Sequence, residues 1–222
     1  VDISRDFLLE SATAIADRHD IEVLPVWADF TKGHPIPTCE SAVRSRAVYF
    51  PGSTVGNFSR SDAASLLETF GSMIREQADD EQAGVAGAVV VGFDCKKDQG
   101  RMEAAYNDAE GVTAEFNYNV IDRLASELGV GLDRDKFSFR ADWVENEGAI
   151  VSRLWVDESH TVEMAGDVVT FEAGEAIRME ESHKYTPDEF ETLARESGLG
   201  LEKIWTDEAA DFAVACLRPL SV

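Results

Sequence analysis

Tyr49-Phe50-Pro51-Gly52-Ser53-Thr54-Val55-Gly56-Asn57 links a short apolar run to a helical one, and the fold turns on how it is read. An aromatic pair suited to the end of a buried strand enters a turn with two glycines, which presents Ser53, Thr54 and Asn57 without bulky neighbours. Glycines in such a turn permit positive φ and close approach of a ligand to the backbone. In open α/β sheets, ligands sit at the carboxyl ends of the strands. Taken alone, the segment reads equally well as a plain strand-to-helix connection. It is not a nucleophile elbow, because Gly-x-Ser-x-Gly is absent, and it is not a phosphate loop, because no Gly-Lys-Ser/Thr follows.

Outward from this turn the chain alternates. Val48 to Pro51 reads as a strand, followed by a helix from Ser59 to Gln77 with Leu66, Leu67, Phe70, Met73 and Ile74 on one face. Gly87 to Asp94 is a nearly all-apolar strand that ends in an acid. Upstream, Ile21 to Phe30 is a second strand-like run with an acid near its end, and Arg5 to His19 has helical spacing of Phe7, Leu8, Ala12, Ile15 and Ala16 after Ser4 as cap. Apolar strands alternating with helices predict a parallel sheet covered by helices.

From Gly100 the pattern changes. Thr113 to Leu128 reads as a helix with Phe116, Val120, Leu124 and Leu128 inward. Phe137 to Trp143, Ala149 to Val156, His160 to Met164 and Val168 to Phe171 read as short antiparallel strands between turns. After Thr186-Pro187-Asp188-Glu189 a capped helix runs to Ser197, Gly198 stops it, and Leu201 to Thr206 and Phe212 to Leu217 form two final strands. The reading is a sheet domain of residues 1–99 and 184–222 with an inserted α+β lobe of residues 100–183.

The 222 residues carry 43 acidic against 20 basic side chains, a formal net charge of -23. Such a charge repels phosphate backbones and anionic lipid, so neither nucleic acid nor a membrane surface is expected as a partner. It reads as a solubility or halotolerance feature rather than as an acidic binding surface. Cys39, Cys95 and Cys216 lie far apart without C-x-x-C spacing, which predicts reduced, mostly buried thiols in a cytoplasmic protein and no zinc site. His19, His34, His160 and His183 show no metal-ligand spacing and read as surface or loop residues. No apolar run approaches the roughly 18 residues needed to span a bilayer.

Five ordered motifs carry a family resemblance. They are Val1-Asp2-Ile3-Ser4, Phe50 to Phe58, Gly92-Phe93-Asp94-Cys95-Lys96-Lys97-Asp98, Ala105 to Thr113, and Glu180-Glu181-Ser182-His183-Lys184-Tyr185. Through them the chain resembles the histidine-specific, S-adenosylmethionine-dependent methyltransferases of ergothioneine biosynthesis. The resemblance implies a class I methyltransferase (Rossmann-like) sheet, S-adenosylmethionine as cofactor, and N-methylation of the α-amine of histidine or a related amino acid. It implies Asp2 for the cofactor ribose, Asp29 for the adenine amino group, Phe30 for stacking on the base and Gly52 for close backbone approach. On the substrate side it implies Asn57, Tyr106 and Thr113 around the amino acid, with Glu180 and Ser182 gripping the ring.

Physical chemistry supports the last pair, since residues two apart on a strand share a face. A carboxylate and a hydroxyl are apt partners for two imidazole nitrogens, one donating and one accepting. A sulfonium methyl is already electrophilic, so the reaction needs alignment rather than a covalent nucleophile or a metal.

The chain departs from the family pattern twice. Family members carry, before the Val-Asp-Ile-Ser segment, a first strand with a glycine-rich cofactor loop and a tyrosine-bearing helical region, whereas this chain begins after both. A sheet edge exposed where that strand belongs predicts a homodimer. Val151 and Ser152 stand where the family tends to have Glu-Met, so the pocket is reshaped beside Arg153. Two alternatives follow: a catalytically silent binding or oligomerisation module, and a methyltransferase for another small amine.

Overall fold

The computed structural model describes residues 1–33, 36–40, 43, 45–75, 87–164 and 166–220. In chain order the elements are α1 (Arg5–Arg18), β1 (Ala47–Phe50), a 3-10 turn (Thr54–Asn57), α2 (Arg60–Arg75), β2 (Ala88–Asp94), α3 (Gln99–Tyr106) and α4 (Val112–Leu128). They continue with β3 (Phe137–Val144), β4 (Ala149–Val156), β5 (His160–Met164), β6 (Asp167–Phe171), β7 (Ala176–His183), α5 (Pro187–Glu196), β8 (Leu199–Thr206) and β9 (Phe212–Pro219).

The first sheet runs β1-β2-β9-β8. β1 and β2 are parallel, with Ala47 opposite Ala88 and Phe50 opposite Val91, while β9 and β8 run antiparallel. It is thus the expected α/β sheet closed by a helix and a hairpin, with one parallel pair among the described strands. Val89, Val91 and Phe93 alternate along β2 and are fully buried against Leu66, Leu67, Phe70 and Ile74 of α2 and Phe190 and Leu193 of α5. Phe93 stacks on Phe190 with ring centroids 4.1 Å apart. α5 begins as its sequence predicts: Thr186 Oγ1 accepts from the Glu189 N–H while the Glu189 carboxylate accepts from the Thr186 N–H. Gly198 ends it with φ +73.

A second sheet, β3-β4-β7, is wholly antiparallel, and β5-β6 forms a hairpin. Phe137, Leu154 and Val156 are buried with Ile121 of α4 at one end of the sheet, and Ala141 and Ile150 with Met102 of α3 at the other. Even spacing on β4 puts Ile150, Leu154 and Val156 on one face, so both helices cover the same side.

The amino-terminal region departs from its reading. Ile21 to Phe30 does not form a strand; one parallel bridge, Asp2 to Trp27, joins it to the chain start. A strand needs a neighbour to satisfy its backbone groups, and among the described residues only Asp2 supplies one. α1 forms but buries none of its residues, leaving Phe7 63% exposed, and Ser4 makes no side-chain cap. The apolar groups of Val1 and Val26 face Ala47 and Val48 across a cavity of about 130 Å3.

On α4 the inward face is Asn117, Ile121 and Leu124, whereas Phe116, Val120 and Leu128 are exposed. A row of residues four apart drifts around a helix of 3.6 residues per turn, so it cannot mark one straight face. His183 and His160 sit on strands rather than in loops: His183 is buried, and His160 stacks on Phe171 at 5.1 Å. Cys39 is exposed, Cys95 buried and Cys216 half-buried, so one thiol departs from the buried reading. His34 and the end of the helix at Gln77 lie outside the described residues.

Candidate active site

A β-bulge in β7 decides which side chains reach the face under α3. Leu154 and Ser152, two apart on β4, face Ile177 and Glu180, which are three apart on β7. The extra residue shifts the alternation, turning Glu180 and Ser182 onto the face shared by Ile150 and Leu154. Continuing the same alternation past the strand end brings Lys184 to that side as well. Glu180 therefore lies beside buried Ser152, and Ser182 beside Ile150.

Lys184 is the residue that the sequence reading missed. Its side chain is 1% exposed, and its Nζ donates to Asp94 Oδ2 at 2.7 Å, Tyr106 Oη at 2.7 Å and Ser182 Oγ at 2.9 Å. A buried ammonium is costly unless paired and hydrogen-bonded, and these three acceptors use all of its protons. Asp94, at the end of β2, also receives Lys97 Nζ at 2.7 Å. Burial pushes the Asp94 carboxyl up, but the hydrogen bonds and charges of Lys184 and Lys97 outweigh it, leaving it below the usual value. The signal was present in Glu180-Glu181-Ser182-His183-Lys184, whose alternate residues share one face.

Tyr106 closes the cluster from the end of α3, its Oη donating to Ser182 Oγ at 2.9 Å. α3 is set by the Asp98 side chain, which caps it at the Arg101 N–H, and by Asn107, which bonds both the N–H and the carbonyl of Ala141 on β3. Glu180 differs from its neighbours: half-buried, its carboxylate has no hydrogen bond or ion pair among the described residues.

The turn after β1 meets this cluster from the sheet side. Gly52 and Ser53 both take left-handed backbone, φ +75 and +59, and Ser53 Oγ accepts the Asp94 N–H at 2.9 Å. Gly56 lies so close to β7 that a Cβ there would come within 2.7 Å of the His183 carbonyl, so only glycine fits. Asn57 follows, exposed and without a side-chain partner among the described residues. Thr113 is held at the start of α4, where the Asp108 carboxylate accepts the N–H groups of Val112 and Thr113. Among the described residues, no hydrogen bond joins Thr113 or Asn57 to the Lys184 cluster.

The residues expected for the cofactor form a separate group. Phe30 packs edge-on against Phe50 at 5.5 Å and Phe58 at 6.3 Å, the two aromatics that flank the turn. Asp29 beside it accepts from Thr31 Oγ1 at 2.6 Å and the Thr31 N–H at 3.0 Å, bonds that, with Lys32, hold its carboxyl below the usual value. The Asp2 carboxylate accepts the Ser4 N–H at 2.7 Å. Gly52 leaves open space where a side chain would stand. An aromatic ring and bare backbone at one turn, with carboxylates at Asp29 beside that ring and at Asp2 bridged to the same segment, are group types that suit a nucleoside cofactor.

On the other face of β7, His183 Nδ1 lies 3.2 Å from the Glu147 carbonyl, while its Nε2 makes no hydrogen bond among the described residues and lies 3.5 Å from Glu181 Oε1. Burial lifts the unpartnered Tyr185 hydroxyl to about 12.

A family model described as histidine-specific methyltransferase, SAM-dependent, matches residues 1–219. The histidine N-alpha-methyltransferase of Mycolicibacterium smegmatis is 35% identical over 218 residues, covering 96% of this chain and 64% of that protein. The protein of the same name from Mycobacterium tuberculosis is 31% identical, with coverages of 96% and 64%. The ergothioneine biosynthesis protein 1 of Neurospora crassa is 26% identical over 93% of this chain and 22% of its own length. The chain thus spans less than two thirds of the length of these relatives.

Proposed function

We propose that this chain, which belongs to the histidine-specific, S-adenosylmethionine-dependent methyltransferase family, methylates the α-amine of histidine. The observation that carries the reading is the face of β7, where an unpaired, half-buried Glu180 carboxylate stands two residues from Ser182. The carboxylate can only accept and the hydroxyl can donate, so together they match the N–H and the bare nitrogen of a neutral imidazole.

The methyl group is supplied by S-adenosylmethionine, whose sulfonium makes it electrophilic. In this reading Asp2 and Asp29 hold the ribose and adenine, Phe30 the face of the base, and Gly52 gives the backbone close approach. Asn57, from the turn, and Tyr106 and Thr113, from the lobe of residues 100–183, hold the polar end of the amino acid. The protein's part is alignment of a neutral amine, with no covalent intermediate on the chain. The lobe would thus bring the substrate to a cofactor held by the sheet domain of residues 1–99 and 184–222.

Ser152 supports a second reading. It is 2% exposed beside Glu180, a small group where the family pattern has methionine, and room there suits a ring or amine other than that of histidine.

The test is mass spectrometry of products after incubating the protein with S-adenosylmethionine and an equimolar mixture of amino acids. Methylated histidine as the dominant product supports the reading. Methylation of another amine in its place moves the assignment to the second reading, and no product contradicts both.

A further inference from the structure

Lys184 has no place in the proposed chemistry, yet it is the most buried charge next to the ring-binding pair. Its protons go to Asp94, Tyr106 and Ser182, at 2.7, 2.7 and 2.9 Å. Tyr106 Oη accepts from Lys184 and spends its own proton on Ser182 Oγ at 2.9 Å. A serine oxygen has two lone pairs and one proton. Both lone pairs of Ser182 are occupied, one by the ammonium and one by the phenol. Its proton has no acceptor among the described residues.

We propose that Lys184 is a positioning residue that fixes the hydrogen-bond direction of Ser182, making its hydroxyl an obligate donor to the ligand. The inference rests on the functional reading above. An ammonium has no lone pair and cannot reverse its bond, and Tyr106 Oη, which already takes a Lys184 proton, gives its own to Ser182, so in this arrangement neither inward partner accepts from Ser182. Glu180, on the same face, can only accept. The site then accepts one arrangement: a ring with an N–H toward Glu180 and a bare nitrogen toward Ser182. Specificity arises because a ligand without the bare nitrogen leaves a desolvated donor unpaired.

Binding is measured by calorimetry for L-histidine, for β-(pyrrolyl)alanine with an N–H but no acceptor nitrogen, and for β-(thiazolyl)alanine with an acceptor but no N–H. Wild type is expected to prefer histidine over the pyrrolyl analogue by about tenfold or more. Lys184→Met, which frees the Ser182 hydroxyl to turn, is expected to bring that ratio close to one while leaving the histidine-to-thiazolyl ratio unchanged. In a Ser182→Ala background, Lys184→Met is expected to change neither ratio further.

A uniform loss of affinity in Lys184→Met, with both ratios kept, would show a merely structural role and overturn the proposal. Asp94→Asn combined with Lys184→Met removes the two charges together and is read by the same ratios should the single variant not fold. Wild type that binds none of the three ligands contradicts the functional reading itself, and the proposal with it. Histidine bound without preference over the pyrrolyl analogue overturns the proposal alone.

Discussion

The two halves of the candidate site are held in contrasting ways. Around Lys184, side chains from β2, α3 and β7 meet in a cluster in which each ammonium proton has an acceptor within 2.9 Å. Around Asp2 and Asp29, the chain rests on one parallel bridge and a helix that buries nothing. The contrast teaches that the proposed substrate face is built by long-range side-chain bonds, whereas the two carboxylates proposed for the cofactor are set by local ones, Asp2 and Asp29 each accepting an N–H two residues on, with Phe30 as the contact that ties their segment to the core.

Perturbations of the two regions should differ accordingly. Phe190, fully buried and stacked on Phe93, anchors α5 to the sheet, and Phe190→Ala is expected to cost about 3–5 kcal/mol in urea unfolding. Asp94→Asn leaves the buried Lys184 ammonium without its carboxylate. It is expected to cost about 3 kcal/mol, the lower end for a broken buried pair because Asp94 is 24% exposed.

The same pair predicts a pH dependence. The folded chain holds Asp94 below its usual value, so it binds that proton less tightly than the unfolded chain does. The stabilisation is complete at neutral pH and is lost as pH falls from about 4 through the lower folded value. Unfolding midpoints measured from pH 7 down to pH 3 should therefore fall less steeply in Asp94→Asn than in wild type.

Thr186→Ala removes half of a reciprocal cap and is expected to cost about 1 kcal/mol, read by thermal unfolding. Phe7→Ser, on the exposed face of α1, is expected to stay within about 0.5 kcal/mol of wild type. A cost above about 2 kcal/mol for Phe7→Ser would break the comparison, because it would mean that α1 packs on the core.

What the sequence made legible follows the same division. The apolar run into Asp94, the Thr186-Pro187-Asp188-Glu189 start and the two closing strands were readable because period, cap and turn residues all act locally. The inward face of α4 was misread because Phe116, Val120 and Leu128 are as apolar as the residues that face in, and only the position of β3 decides between them. Ile21 to Phe30 has strand composition, but a strand is a pairing, and its partner is not a local property. Motif and alternation point to Glu180 and Ser182, and the register places the two on one face. Lys184 was missed although it continues that alternation, because its role depends on Asp94, 90 residues away in the chain. The bulge that sets all three on one face leaves no mark in composition.

The most direct test of the central claim, that the Glu180 and Ser182 face reads an imidazole, is calorimetric titration of L-histidine into wild type and Glu180→Gln. The account predicts binding to wild type and a loss of about tenfold or more in Glu180→Gln, the effect of removing a charged acceptor from a ring N–H. Equal affinity of the two proteins for histidine would contradict it.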